Sequence, residues 1–477
     1  MPFSIVVAGA VLLGCSDIPS PSTDHALDGP EAFAARDAAP IAPTTFQGEY
    51  TRDDGTPIYV IARDEGLAVL VAGNLFGLVS EGLDRFALEG VPETVTFHRD
   101  DAGRIVAVSD SQGRYPRASD TLPVDIAASH GGAAVQPYSY AMPEALDDGI
   151  AVGDLSSASI DGGAIAALMD DIATNEDYAD IHSLLVSRDG TLVLEAYRGG
   201  FDAAQPHNLR SATKSVIAIV LGAAVLRGDA SLDDRPLAVL ADGVGMNISA
   251  HKASLTVADL LDMRHGLQCN DWDTDSPGNE SKIYANADWV PAILSIPDDA
   301  VADRVSYCSA MPLAVGRYLE LKTGQSLSNY AQDALFIPLG IDRADWTWAF
   351  NLIAKDTPHG AQIHMRPRDM LRIGQLYLDD GRAGDRRILP EDWVRAAFED
   401  TRPLGDWRRY GDYWWSYDIA GDDGTEWVTV HTASGIGGQR IAVVPRADLV
   451  VVMTGRSFTA GQGGPRQVIE RVVGALD

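Results

Sequence analysis

Ser211 and Lys214 stand three residues apart in NLRSATKSVIAIVLGAAVLRG, where a polar tetrad runs directly into an apolar helical pattern. A serine hydroxyl attacks a carbonyl at neutral pH only if a neighbour accepts its proton. A lysine can do so when desolvation or a nearby positive charge makes it neutral. At the first turn of a helix, side chains three apart share a face. The helix N-terminus also favours negative charge developing on the serine oxygen. The apolar run from Val216 to Leu221 makes this helix hydrophobic nearly all round, so it belongs in the centre of its domain. A second Ser-x-x-Lys, Ser249–Lys252, precedes a fresh cap at Thr256 and reads as a loop that holds no such pair together.

Two further stretches could complete a site. Tyr307-Cys308-Ser309, in RVSYCSAMPLAVGRYLELKTG, puts a phenol at the mouth of a helix, where it can shuttle a proton if a lysine is near. Read alone, it is a packing tyrosine. In VTVHTASGIGGQRIAVVP, glycines 435, 437 and 438 beside a strand leave N–H groups unblocked, as an oxyanion hole requires. Read alone, that is a Gly-rich bulge.

Positioning these groups needs a scaffold. Residues 46–118 alternate apolar and polar in short runs broken by Asp-Asp-Gly and Asp-Ala-Gly, the pattern of antiparallel hairpins and hence of a small all-β domain. Residues 119–150 read as a linker. From 151 the texture changes to an amphipathic helix (GGAIAALMDDIATN) and a hairpin turning at Asp189-Gly190. The nucleophile helix and a long helical stretch follow. Strands return in WVTVHT, GQRIAVVP and LVVVMTG, closed by a helix from Gln467. Strands at both ends with helices between predict one antiparallel sheet flanked by helices, with an inserted helical lobe, an α+β (α/β) architecture.

The chain has 477 residues, too many for one ordinary core. A net charge of −31 excludes a nucleic-acid partner, which needs clustered cations. Only five of the 37 basic residues are lysine, so each lysine merits inspection. Residues 1–15, MPFSIVVAGAVLLGC, look like a lipoprotein-type signal with Cys15 as the lipidated residue, and 16–45 read as a disordered tether. The expectation is an exported bacterial lipoprotein facing the periplasm or cell exterior, touching the membrane through that anchor. The remaining cysteines, Cys269 and Cys308, are then a candidate disulfide. Asp271, Asp273 and Asp275 suggest a calcium loop, but Ser276 stands where glycine is needed and Lys282 where glutamate is. No metal or organic cofactor is called for.

Taken in order, the three elements resemble the penicillin-recognising serine hydrolases: class C β-lactamases, D-alanyl-D-alanine carboxypeptidases and their esterase and amidase relatives. The similarity covers 151–477. LLDMRHGLQCNDWD, SPGNE, MRPRDMLRIGQLYLDDG and ILPEDWV look like the branch of carboxylesterases and aminohexanoate-oligomer hydrolases. The β domain resembles the lipocalin-like or jelly-roll accessory domain often fused to them.

The resemblance implies a β-lactamase-like fold in which Ser211 is acylated, Lys214 accepts its proton and Tyr307 shuttles it to the leaving group. It implies an oxyanion hole from the N–H groups of Ser211 and Ile436. Ser309 stands where the family usually has Asn and is a possible substrate contact. Ala433-Ser434-Gly435 stands where it has Lys-Thr-Gly, with His431 as the competing counterpart of the lysine. A missing cation there weakens recognition of a substrate carboxylate. Hydrolysis of a small-molecule ester, amide or peptide therefore ranks above β-lactamase or D-Ala-D-Ala carboxypeptidase activity. A non-catalytic cell-wall peptide-binding protein is the rival.

Overall fold

Alternating burial along the strands and all-round burial of one helix decide the architecture, seen in a computed structural model. It describes residues 42–476 apart from 52–56, 64–65, 72–73, 89–92, 112, 123–137, 175–177, 179–180, 199–200, 287, 300–303, 351–357, 406, 421–425 and 456–462. Cys15, the 1–15 signal segment and the tether up to residue 41 lie outside the described residues. The tether's far end is structured, since Pro43–Thr45 form a 3-10 turn leading to buried Phe46.

Eight antiparallel strands, from Gly48–Thr51 to Arg114–Ser119, close into a barrel. Each pairs with its sequence neighbour, and the first meets the last through Glu49↔Ser119 and Tyr50↔Arg117. Neighbour-to-neighbour closure is the up-and-down, lipocalin-like arrangement and not a jelly roll. Phe46, Phe86 and Phe97 pack tilted or edge-to-face inside it.

The second sheet has nine strands in the order Arg402–Pro403, Arg409–Gly411, Trp414–Ala420, Trp427–Gly435, Gln439–Val444, Leu449–Gly455, Ile181–Arg188, Thr191–Tyr197 and Ala151–Val152. All neighbours are antiparallel except the last pair. C-terminal strands thus complete a sheet begun 250 residues earlier. Period-two alternation divides the strands between two apolar layers: Val451 and Met453 face helices Gly162–Thr174 and Gly463–Val473, whereas Val450 and Val452 face the helical lobe.

Residues 138–150 form an extended connection that packs along the second sheet. Tyr140 Oη donates to Val193 O at 3.0 Å, and Tyr138 and Tyr140 pack on the helix-covered face of the sheet. Arg368, buried, joins Asp148 and Glu195 across that region. No helix among the described residues is long and apolar enough to cross a membrane.

Candidate active site

The nucleophile candidate sits where three elements meet. Ser211 lies in the 3-10 turn Arg210–Ala212, which continues into helix Thr213–Arg227. Residues 213–224 of that helix are all buried, as its apolar composition predicts. Arg210 adopts φ 50°, the left-handed region that costs a non-glycine residue roughly 1–2 kcal/mol. Neighbours hold it there: Arg210 N–H donates to Asn208 Oδ1 at 2.9 Å and Leu209 N–H to Ile363 O at 2.8 Å. Ser215 Oγ donates to Tyr413 O at 2.6 Å on the next turn.

Lys214 Nζ donates to Ser211 Oγ at 3.0 Å and lies 5.0 Å from the centre of the Tyr307 ring. Lys214 is 1 % exposed and Tyr307 7 %. Burial pushes the ammonium toward losing its proton. The charges of Tyr307, Asp271 and Glu280, with a hydrogen bond to Tyr307, outweigh that and raise the Lys214 pKa. This differs from the sequence expectation of a neutral lysine. Composition predicted desolvation but not the acids packed beside it.

The oxyanion strand ends against the same turn. A Cβ on Gly435 would lie 2.1 Å from Leu209 O, so only glycine lets this strand approach the residues before Ser211. Ser434 is half-buried beside it, and Ile436 follows with its side chain in solvent. His431 faces the other way. Its ring stacks on Phe398 at 3.8 Å, Nδ1 bonds Ser416 Oγ at 2.7 Å, and burial pushes its pKa down to about 4. It is a neutral packing residue, which removes it as a substrate contact and as the lysine's counterpart.

Cys269 and Cys308 form a disulfide with Cα atoms 5.5 Å apart. It ties the 269–272 loop to Tyr307–Ser309. Asp271 N–H donates to Tyr307 O at 2.9 Å, and Trp272 stacks on the Tyr307 ring with centroids 5.5 Å apart and planes 3° apart. Ser309, buried, donates N–H and Oγ–H to Asp271 Oδ2, each at 2.7 Å, and its Oγ is 3.0 Å from Glu280 Oε2. Ser309 is therefore committed to these acids and not presented to a ligand. Neutral His265 braces the segment from behind: Leu267 N–H donates to Nδ1, leaving Nε2–H for Ser306 O at 2.9 Å. Burial lowers its pKa to about 4.

The second Ser-x-x-Lys is not in a loop. Ser249 caps the short helix Ala250–Ser254 by accepting Lys252 N–H, while Lys252 Nζ donates to Leu294 O at 2.9 Å. The cap occupies the hydroxyl and the carbonyl occupies the ammonium.

Sequence reasoning missed Asp271 and Glu280, read as part of a solvated acidic loop. The signal was the Cys269–Cys308 pairing, which puts Asp271 opposite Ser309. It also missed cations supplied from elsewhere. A recess of ≈ 30 Å³ beside Ser434 and Thr432 is lined by Arg408, Arg440, Arg466 and Tyr417. Arg408 lies over the rings of Trp272 and Trp415, which border Tyr307. A wider groove of ≈ 480 Å³ between helices Glu280–Tyr284 and Trp289–Leu294 contains none of Ser211, Lys214 and Tyr307.

A serine paired with a buried lysine at a helix start, a tyrosine beside the lysine, and a glycine-ended strand on a helix-flanked antiparallel sheet define a β-lactamase-like serine hydrolase fold. Residues 175–471, more than half of the chain, match the Beta-lactamase family, and the protein belongs to that family. It is 25 % identical over 318 residues to the 6-aminohexanoate-dimer hydrolase of Paenarthrobacter ureafaciens, covering 61 % of this chain and 76 % of that one. Among solved structures, a family VIII carboxylesterase (17 % identity, TM-score 0.50) matches over 66 % of this chain and 98 % of its own. EstCE1, a hydrolase with promiscuous acyltransferase activity, matches over 65 % and 98 % (14 % identity, TM-score 0.51). These two share the fold.

Proposed function

We propose that the protein hydrolyses small esters or amides through an acyl-enzyme on Ser211. The observation that carries this is the 3.0 Å contact from Lys214 Nζ to Ser211 Oγ at a helix start beside Tyr307. In the proposed cycle Ser211 Oγ attacks the carbonyl carbon, and the N–H groups of Ser211 and Ile436 hold the oxyanion. An ammonium cannot take a further proton. The serine proton therefore passes to the Lys214–Tyr307 pair once that pair has lost one proton to solvent, the titration belonging to the pair and not to either group. The pair hands it to the departing alcohol or amine. Water then gives a proton to the pair and attacks the ester, and Ser211 recovers its proton as the acid leaves.

A specific observation favours a second reading within this chemistry. Arg408 and Arg440 beside Ser434, with Arg466 paired to Glu470 at 2.8 Å, bring from other segments cationic character that the strand's Ala433-Ser434-Gly435 lacks. Substrates bearing a carboxylate, β-lactams included, therefore belong in the panel. Residence outside the cytoplasm on a lipidated Cys15 remains part of the proposal.

The test is intact mass after a fluorophosphonate on wild type, Ser211→Ala and Ser249→Ala. One adduct, abolished only in Ser211→Ala, is expected, with kcat/KM in that variant down roughly 10⁴-fold or more. No adduct on folded wild type would sink the proposal and favour a non-catalytic peptide-binding protein.

A further inference from the structure

The mechanism above leaves two buried acids unused, and their hydrogen bonds count out a proton. Ser309 Oγ owns one hydrogen and gives it to Asp271 Oδ2 at 2.7 Å. Glu280 Oε2, at 3.0 Å from the same oxygen, can bond it only by bringing a hydrogen of its own. Glu280 N–H also donates to Asp271 Oδ1 at 3.1 Å, so the two acids meet through backbone as well as through Ser309. Two carboxylates this close to one hydroxyl do not both ionise readily.

We propose that Asp271 and Glu280 are positioning residues of the Ser211 site: a carboxyl–carboxylate pair sharing one proton, which locks Ser309 and Tyr307 and presents one negative charge to Lys214. The inference rests on the hydrolase reading, because it assigns a job within that site.

The lock has four parts, all from one short loop. They are the Cys269–Cys308 disulfide, the Asp271 N–H bond to Tyr307 O, the Asp271 carboxylate on Ser309, and the Trp272 ring on Tyr307. Together they fix residues 307, 308 and 309 in succession, and with them the Tyr307 ring over Lys214. The family's usual Asn is replaced by a serine that hands the polar role to the acids behind it.

The charge follows from what surrounds the pair. Lys214 comes from the nucleophile helix, Tyr284 from the helix that Glu280 opens, and Tyr307 and Tyr410 from the opposite wall. Lys214 is the cation among them. Burial lifts Asp271 to about 6, Lys214 opposes that rise, and Glu280 adds to it.

The test uses the isosteric variant Glu280→Gln and the double variant Asp271→Asn/Glu280→Gln in the full chain, and reads the pH dependence of fluorophosphonate labelling at Ser211. The amide of the single variant stands in for a protonated carboxyl and keeps one negative charge facing Lys214. The double variant removes that charge, so only there does the Lys214–Tyr307 pair give up its protons more easily. The limbs of the profile that the pair controls should stay in place in Glu280→Gln and move to lower pH, by about one unit, in the double variant. Unmoved limbs in the double variant would mean the acids only hold the fold, and a full shift in Glu280→Gln alone would mean both acids were charged; either result would overturn the inference. If wild type takes no label, the hydrolase reading is what fails. Thermal unfolding between pH 4 and 6 then judges the acids: the wild-type decline in that window should flatten in Asp271→Asn, and an unaltered decline refutes the shared proton.

Discussion

Gly435→Ala should inactivate the enzyme without unfolding it. The new Cβ would sit 2.1 Å from Leu209 O and 3.1 Å from both Arg210 Cβ and Gln439 Cβ. Carbon and carbonyl oxygen approach no closer than about 3.3 Å, so strand and turn must part by about 1 Å. The turn cannot yield freely, because Leu209 N–H is held by Ile363 O and Arg210 N–H by Asn208 Oδ1. Movement therefore falls on the end of the Trp427–Gly435 strand, which carries the proposed oxyanion donor at its next residue. Gly435 has no positive φ, so alanine adds no backbone strain and the effect is steric. Overpacking of this kind costs about 1–3 kcal/mol of stability. A misplacement near 1 Å costs about 10²-fold in rate. The assay is kcat and KM on a nitrophenyl ester, with urea unfolding of the same preparation. The loss should lie in kcat. A folded variant within threefold of wild-type kcat would refute the argument that this strand positions the oxyanion.

Three other outcomes follow from the same geometry. Replacing Cys269 and Cys308 by serine removes a cross-link spanning 39 residues, worth about 4 kcal/mol, and frees Tyr307; urea midpoints and kcat should fall together, and an unchanged kcat would mean the loop is held without it. Ser249→Ala should cost about 1 kcal/mol through loss of its cap while Ser211 labelling stays at the wild-type rate; slowed labelling would reopen the second Ser-x-x-Lys. Burial, with Asp262 and Asp400 nearby, raises Asp412 to about 7. Its raised value means the folded state holds the proton more tightly. The associated stability is full below about pH 4 and is lost as pH rises through 7. Asp412→Asn should therefore narrow the gap in melting temperature between pH 5 and pH 8, and an unchanged gap would refute it.

The helical character and burial of the Ser211 element were legible in the sequence because they are local: an apolar run through Leu221 has nowhere to go but a core. Hairpins, the turn at Asp189-Gly190 and the cap at Thr256 were legible for the same reason, the structure adding that Asp259 closes a capping box there. Period-two alternation likewise announced the N-terminal β domain. Its closure into a barrel depended on pairing between its first and last strands, which no local pattern encodes.

What only the tertiary structure decided is which polar groups share a dielectric environment. Ser211–Lys214 and Ser249–Lys252 have the same spacing, yet one hydroxyl caps a helix and the other receives a lysine. Asp271 and Asp273 look alike in an acidic loop; the disulfide turns one inward to Ser309, and the other bonds its neighbour's backbone. Trp272 and Trp415 border Tyr307 while Trp346 and Trp414 fill the core, a division no tryptophan announces in sequence. Residue type and spacing determine which reactions are available to a side chain. Its charge state and reach depend on neighbours tens to hundreds of residues away, because Coulomb interactions and desolvation act through space rather than along the chain.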